Sequence, residues 1–201
     1  EQAIVNEAHR RGMIVPGRKY RDKDAEPVTA AGAYVATPKK GLHDWIGSID
    51  INSLYPSVIR ALNMGPETIV GQIRPIITSA EVNRAKSQKK SFAAAWDNQF
   101  GSWEYQAVMN KEKGTEILVD WADGTSVRMS AAQLYDIVFE GNNKWMLSAN
   151  GTLFTYEFEA IIPGLLKRWY AERKEMQRKM LESGDNKIEI EYWDKRQLVK
   201  K

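Results

Sequence analysis

The chain contains no cysteine. Disulfides and thiolate metal sites are thereby excluded, and the composition fits a cytosolic protein. Histidine is almost missing: His9 and His43 are the only two, too few for a His-rich zinc site. No apolar run is long enough to span a bilayer, so no membrane contact is expected. The opening stretch, EQAIVNEAHRRG, is amphipathic and mixed in charge, unlike a signal peptide. A strong charge of one sign is also lacking, since 201 residues carry a net +3.

What is present suffices for one domain, or a domain with an appendage. Hydrophobic residues make up 43% of the chain and charged residues 27%, enough to fill a core and cover it. The charge is unevenly spread. From Pro163 to Lys201 eleven bases face seven acids, a local +4 that leaves −1 for the rest. A basic end points to a polyanion such as nucleic acid or a nucleotide. On charge alone, a solvated helical face is the commoner origin of such a run.

Hydrophobic spacing predicts a helix from Gln2 to Arg11, stopped near Gly12, and then a strand in MIVPG. RKYRDKDAEP reads as a charged loop, and AGAYVATP (Ala31 to Pro38) as a turn entering a short strand. DWIGSIDI (Asp44 to Ile51) is mostly apolar with polar flanks, the pattern of a buried strand. Pro56 suits the first turn of a helix running to about Asn63, and Gly65-Pro66 ends it. Between about Gly71 and Gly151, EVNRAKSQKKSFAAAWDNQF reads as a helix with a basic surface. EILVDWADGTSVRMS predicts a hairpin at Asp123-Gly124, and KWMLSANGTLFTYE a second at Asn150-Gly151. Ser130 with Gln133 forms a capping-box pattern opening a helix to about Phe139. No catalytic constellation is visible there, so this region reads as a small elaboration inserted into the main fold. From Pro163 a helix runs to about Glu182, SGDNK breaks it, and a second runs from about Ile188 to Lys201. The two make an antiparallel hairpin.

On the first long helix, Ile162, Leu166, Trp169, Met176 and Met180 share a stripe, and Arg173 falls inside it. A guanidinium among apolar residues needs a partner. That partner is either a structural carboxylate or an anion filling a cleft, and the sequence leaves both open. On the second helix, Ile190, Asp194, Gln197 and Lys201 lie on one face. Two helices that aim bases at a common space can clamp a triphosphate. Asp50 ends an apolar segment, a usual place for a metal ligand at a sheet edge. Phosphoryl transfer commonly uses two ions held by several carboxylates, so one aspartate is not enough. A lone Asp at such a position is more often a turn residue or a cap.

Asp50 does not stand alone, however. DINSLYPS, from Asp50 to Ser57, resembles the first palm motif of family B DNA polymerases, Asp-x-x-Ser-Leu-Tyr-Pro-Ser, at every defined position. NMGPET (Asn63 to Thr68) follows it as in T4-like phage polymerases. AGAYV looks like the Gly-Gly/Ala motif that precedes the palm. AIIPGLLKRWYAERKEMQRKM looks like the first fingers helix, and DKRQLVKK like the start of the second. The resemblance covers about residues 1–70 and 150–201. It implies an α+β fold: a partial palm of β-sheet and helices, an antiparallel fingers hairpin, and a small inserted α/β region. The implied divisions are 1–70 for the lead-in and first part of the palm, 71–151 for the elaboration, and 152–201 for the end of the palm segment and the fingers.

The resemblance also implies roles. Asp50 would be a catalytic metal ligand, and the backbone carbonyl of Ile51 a second oxygen donor to Mg2+, of which the complete enzyme holds two ions. Ser53 and Leu54 would present amides to the triphosphate. Tyr55 would lie under the deoxyribose and leave no room for a 2′-hydroxyl. Arg173 would grip the γ-phosphate, and Lys201 would match the second-helix lysine. The family often has a further base four residues after that arginine. Here Gln177 stands there and Arg178 one step on, and both are candidate phosphate contacts. The partners implied are primer-template DNA and a deoxynucleoside triphosphate, in a cytoplasm that is the bacterial host's if the source is a phage. The second palm motif, Tyr-Gly-Asp-Thr-Asp-Ser, is absent, and the sequence stops before an Asn-Ser-x-Tyr-Gly signature. The expectation is therefore a polymerase fragment, inactive alone, from a longer chain or a split gene whose second polypeptide supplies Asp-Thr-Asp. The alternative is a non-catalytic nucleic-acid-binding or assembly subunit derived from a polymerase half.

Overall fold

The computed structural model describes residues 2–15, 17, 37–88 and 99–198. Its centre is a five-stranded antiparallel sheet in the order β3-β2-β1-β5-β4. The strands are β1 (Ile69–Ile73), β2 (Glu116–Trp121), β3 (Ser126–Ser130), β4 (Trp145–Leu147) and β5 (Thr152–Thr155). Seven α-helices are described: α1 (Gln2–Arg10), α2 (Leu54–Ala61), α3 (Ile76–Ser87), α4 (Trp103–Met109), α5 (Ala131–Tyr135), α6 (Ile161–Glu182) and α7 (Lys187–Leu198). The fold is α+β, as the sequence predicts.

Both hairpins form where the Asx-Gly pairs place them. At Asp123-Gly124 the glycine takes φ 87°, which favours a residue without Cβ, and the Asp123 carboxylate accepts from the Thr125 amide at 2.8 Å. At Asn150-Gly151 the glycine takes φ 86° and connects β4 to β5. The capping box is also present. Ser130 Oγ accepts from the Gln133 amide and the Gln133 side chain accepts from the Ser130 amide. The helix it opens gives way at Asp136 to a wider π turn ending at Glu140.

The main core lies between the sheet and helices α4 and α5. Ile73, Val108, Val119, Leu134 and Leu153 are its largest fully buried apolar members. Most of this core falls within residues 71–151, the region read as an elaboration, which holds β2, β3 and β4 whole, while β1 straddles its start and β5 lies just past its end. Its two outer boundaries are neighbours in space. β1 follows α2 after a 3-10 turn at Pro66–Thr68, β5 is the last element before α6, and the two strands pair antiparallel with Ile69 opposite Phe154.

Two expected strands are not found. In MIVPG the described residues Met13, Ile14, Val15 and Gly17 are irregular chain, with Ile14 and Val15 exposed. Asp44–Ile51 is likewise irregular, and every residue in it is exposed. The reason is the same in both places. A strand's amides and carbonyls need a neighbouring strand, and all five described strands pair with one another instead. An apolar pattern alone does not supply that neighbour. The AGAYV turn, the charged loop before it and residues 89–98 of the basic helix expected at 81–100 lie outside the described residues, as does Lys201, while Gln99 and Phe100 are irregular.

Candidate functional site

The turn at Asn52-Ser53 leads from the irregular stretch into α2. Ser53 takes φ 55° and ψ 46°, the left-handed region, which is unusual for a residue with Cβ. No side chain caps α2, and the amides of Leu54 and Tyr55 in its first turn have no intrahelical acceptor. Pro56 follows in that turn, where it removes no helical bond. Asp50, Ile51, Leu54 and Tyr55 are exposed. Among the described residues Asp50 makes no hydrogen bond or ion pair, and no group of three or more His, Asp or Glu forms that could hold a metal ion. The carboxylate of Asp50 and the carbonyl of Ile51 are hard oxygen donors of the kind Mg2+ takes. They are too few to make a site by themselves, because Mg2+ demands near-octahedral coordination.

Helix α6 runs alongside α2. Arg60 of α2 lies 5.5 Å from the centre of the Tyr170 ring, and Lys174 lies 5.7 Å from the same centre. This packing brings the turn and the long helix to one cleft, lined by Asn52, Tyr170, Arg173, Lys174 and Gln177. Arg173 Nε is buried without a hydrogen-bond partner. Among the described residues no carboxylate pairs with it. The structural alternative left open by the sequence, an Arg173 held by Glu or Asp, has no such partner here. Gln197 on α7 carries a second buried polar atom without a partner, its Oε1, while its Nε2 donates to Asp194 at 2.8 Å. In the antiparallel hairpin of α6 and α7, Arg173 and Gln197 stand equally far in sequence from Asp185. The two helices of the hairpin thus hold one unmet donor, on α6, and one unmet acceptor, on α7.

The neighbouring base behaves differently. Arg178 pairs with Glu175 at 2.7 Å and Glu182 at 2.7 Å on the outer surface of its own helix. Its guanidinium and the Glu175 carboxylate hold each other charged. Gln177, not Arg178, lines the cleft. Asn52, Tyr170 and Lys174 were not identified from the sequence. Lys174 and Tyr170 sit beside the Arg173 stripe, and Asn52 is an undefined position in the motif.

The base of α6 is fixed from two sides. From α1, buried Glu7 accepts from Arg10 at 2.5 Å and Arg11 at 2.9 Å, and Arg168 of α6 lies 3.9 Å away. Hydrogen bonds from Arg10 and then Arg11 hold the Glu7 carboxyl down at about 2. Ala8 packs with Ile161 and Leu165 beneath them. From the other side comes the Asn63–Thr68 loop, the NMGPET segment that follows the Asp50–Ser57 motif.

The chain belongs to DNA polymerase family B, whose sequence profile matches residues 1–201. Among its relatives, DNA polymerase 2 of Aeropyrum pernix is 37% identical over 70 residues, covering 35% of this chain and 8% of that one. The DNA-directed DNA polymerase of Enterobacteria phage T4 is 38% identical over 71 residues, covering 35% and 8%. That of Escherichia phage RB69 is 34% identical over 71 residues, covering 35% and 7%. The matched stretch therefore spans less than a tenth of each relative. No solved structure matches the chain. No described helix is long and apolar enough to cross a membrane.

Proposed function

We propose that this chain forms the deoxynucleotide-binding side of a T4-like family B DNA polymerase. The Asp50–Ser57 turn and α2 then belong to the palm, and α6 with α7 forms the fingers. The observation that carries the reading is the cleft between them, where Arg173 has a buried Nε without a partner, no opposing carboxylate among the described residues, and Asn52 and Gln177 as neighbours. An anion such as a triphosphate would supply the missing acceptors. The amides of Leu54 and Tyr55 stand ready for other phosphate oxygens.

In the complete enzyme a primer 3′-hydroxyl attacks the α-phosphate and pyrophosphate leaves. Asp50 and the Ile51 carbonyl would hold Mg2+ there, together with a second carboxylate from the Asp-Thr-Asp motif elsewhere in the polymerase or on a second polypeptide. Bound magnesium supplies charge stabilisation to the attacking and leaving oxygens. This chain's part is to grip the phosphates through Arg173 and the turn amides, and to test the sugar through Tyr55. Primer-template DNA is the partner.

The test is a primer-extension assay. The purified chain alone should incorporate no nucleotide, and adding the polypeptide that carries Asp-Thr-Asp should restore extension. Extension by the chain alone would refute the one-carboxylate reading. A complemented complex that binds DNA and never extends would favour the non-catalytic subunit. In the same complemented enzyme, Tyr55→Ala should lower the ratio of kcat/KM for dNTP to that for rNTP. An unchanged ratio with normal dNTP use would remove Tyr55 from sugar selection.

A further inference from the structure

The N-terminus of α6 has no cap of its own: Ala160 stands at the N-cap position without a side-chain hydrogen bond. Its amides are met from far away in the sequence. Asn63 Oδ1 accepts from the Ala160 amide at 2.9 Å, and Glu67 Oε1 accepts from the Ile161 amide at 2.6 Å. The Asn63 Nδ2 group also donates to the carbonyls of Thr155 and Phe158, both at 2.8 Å. Asn63 is 4% exposed, so one buried amide ties the end of β5 and the start of α6 to the end of α2. It adopts φ 49°, which Asn tolerates better than most residues. The single Thr68 hydroxyl proton has the Asn63 and Gly65 carbonyls within reach, at 2.7 and 2.9 Å, while Thr68 Oγ1 accepts from the Gly65 amide at 3.1 Å and braces the loop. At Gly65 an added Cβ would come 2.8 Å from the Ala160 Cβ, so the loop and the helix start are in direct contact.

We infer that Asn63 and Glu67 are positioning residues that set the angle of α6 against α2. Resting on the function proposed above, they thereby set the reach of Arg173 to the nucleotide. Leverage is the physical reason. Twelve residues separate Ile161 from Arg173. At 1.5 Å per residue that is about 18 Å of helix, so a tilt of about 5° at the base displaces Arg173 by about 1.5 Å. A misplacement of about 1 Å in a bound geometry can reduce rate by roughly 100-fold. The loop that ends the metal-bearing segment is therefore also the seat of the helix that holds the phosphate.

The absence of native cysteine permits a direct test. Cysteines at Val58 on α2 and Leu181 on α6 carry spin labels, and the distance distribution between them is measured by double electron–electron resonance. Glu67→Ala and Gly65→Ala should shift or broaden it, Asn63→Ala should do so most, and Glu67→Gln, which keeps the acceptor oxygen, should restore it. Circular dichroism confirms that each variant is folded; the two Glu67 variants suffice if Asn63→Ala is not. In the complemented polymerase, Glu67→Ala should raise the dNTP KM by about 10-fold with a smaller change in kcat, and Glu67→Gln should not. An unchanged distance distribution in folded Glu67→Ala and Gly65→Ala overturns the inference. A shifted distribution with unchanged dNTP KM leaves the positioning standing and instead removes Arg173 from nucleotide binding.

Discussion

Ile73, Leu134 and Leu153 are at most 1% exposed, while Leu42, Trp45 and Ile49 are at least 97% exposed. The first group belongs to the sheet and its covering helices, the second to the stretch that leads to Asp50. Both stretches of sequence are rich in apolar residues. What separates them is closure. Each strand of the sheet finds a neighbour, and helices cover its face. The Asp50 stretch has neither among the described residues. An exposed apolar run beside a candidate metal ligand is the sort of surface that another strand could cover. On the proposed function, that cover is the remainder of the palm.

The sharpest way to break this comparison is to truncate one residue from each region. Leu134→Ala or Leu153→Ala should destabilise the chain by about 2–5 kcal/mol, through lost burial and a residual cavity. Ile49→Ala should change stability by less than about 0.5 kcal/mol, as surface changes do. Urea unfolding of the three variants measures both. An Ile49→Ala loss of core size would show that the stretch is packed in solution.

Next in size is Arg173→Ala. With no carboxylate left unpaired, folding should change little. In the complemented enzyme the lost phosphate contact should cost about 1.5–3 kcal/mol, or roughly 10- to 150-fold in kcat/KM for dNTP. A variant that melts much earlier, with normal dNTP use by its folded fraction, would make Arg173 structural. Ser130→Ala removes one half of the capping box and should lower stability by about 1 kcal/mol in thermal or urea unfolding. A change near zero would show that the sheet, rather than the cap, holds α5 in place.

A last expected effect is a pH dependence at the base of α6. Glu7 has its folded-state value lowered to about 2. Its unfolded value is near 4.3. A lowered carboxylate contributes stability that is fully present above the unfolded value and is lost as pH falls through the folded one. The difference in Tm between wild type and Glu7→Gln should therefore be constant above about pH 5 and shrink between about pH 4 and 2. A difference independent of pH would mean that Glu7 acts by shape alone.

The parts legible in the sequence are those set by short-range rules. Asp123-Gly124 and Asn150-Gly151 mark their hairpins because the turn needs a residue that accepts positive φ. Ser130 and Gln133 mark a helix start because two side chains satisfy two amides locally. The helical hairpin follows from spacing and a polar break. The failures concern contacts between distant residues. Nothing local says that Asp44–Ile51 lacks a neighbouring strand, or that β1 will pair with β5 across the whole middle region. The capping roles of Asn63 and Glu67 are not legible locally because their partners, Ala160 and Ile161, lie almost a hundred residues on. At the candidate site the motif marks the turn, and the Arg173 stripe marks the helix. Asn52 became visible only once α2 and α6 stood side by side.

The pairing of Ile69 with Phe154 has a consequence for how such chains can differ in length. A long excursion that leaves and returns on adjacent strands closes its own ends, a few ångströms apart. Whatever lies between them can grow, shrink or be exchanged without moving α2 relative to α6, provided the two strands still meet. Sequence distance between the Asp50 turn and Arg173 then carries no geometric information. A search that fixes the spacing of the two will pass over chains in which they occupy the same places in space.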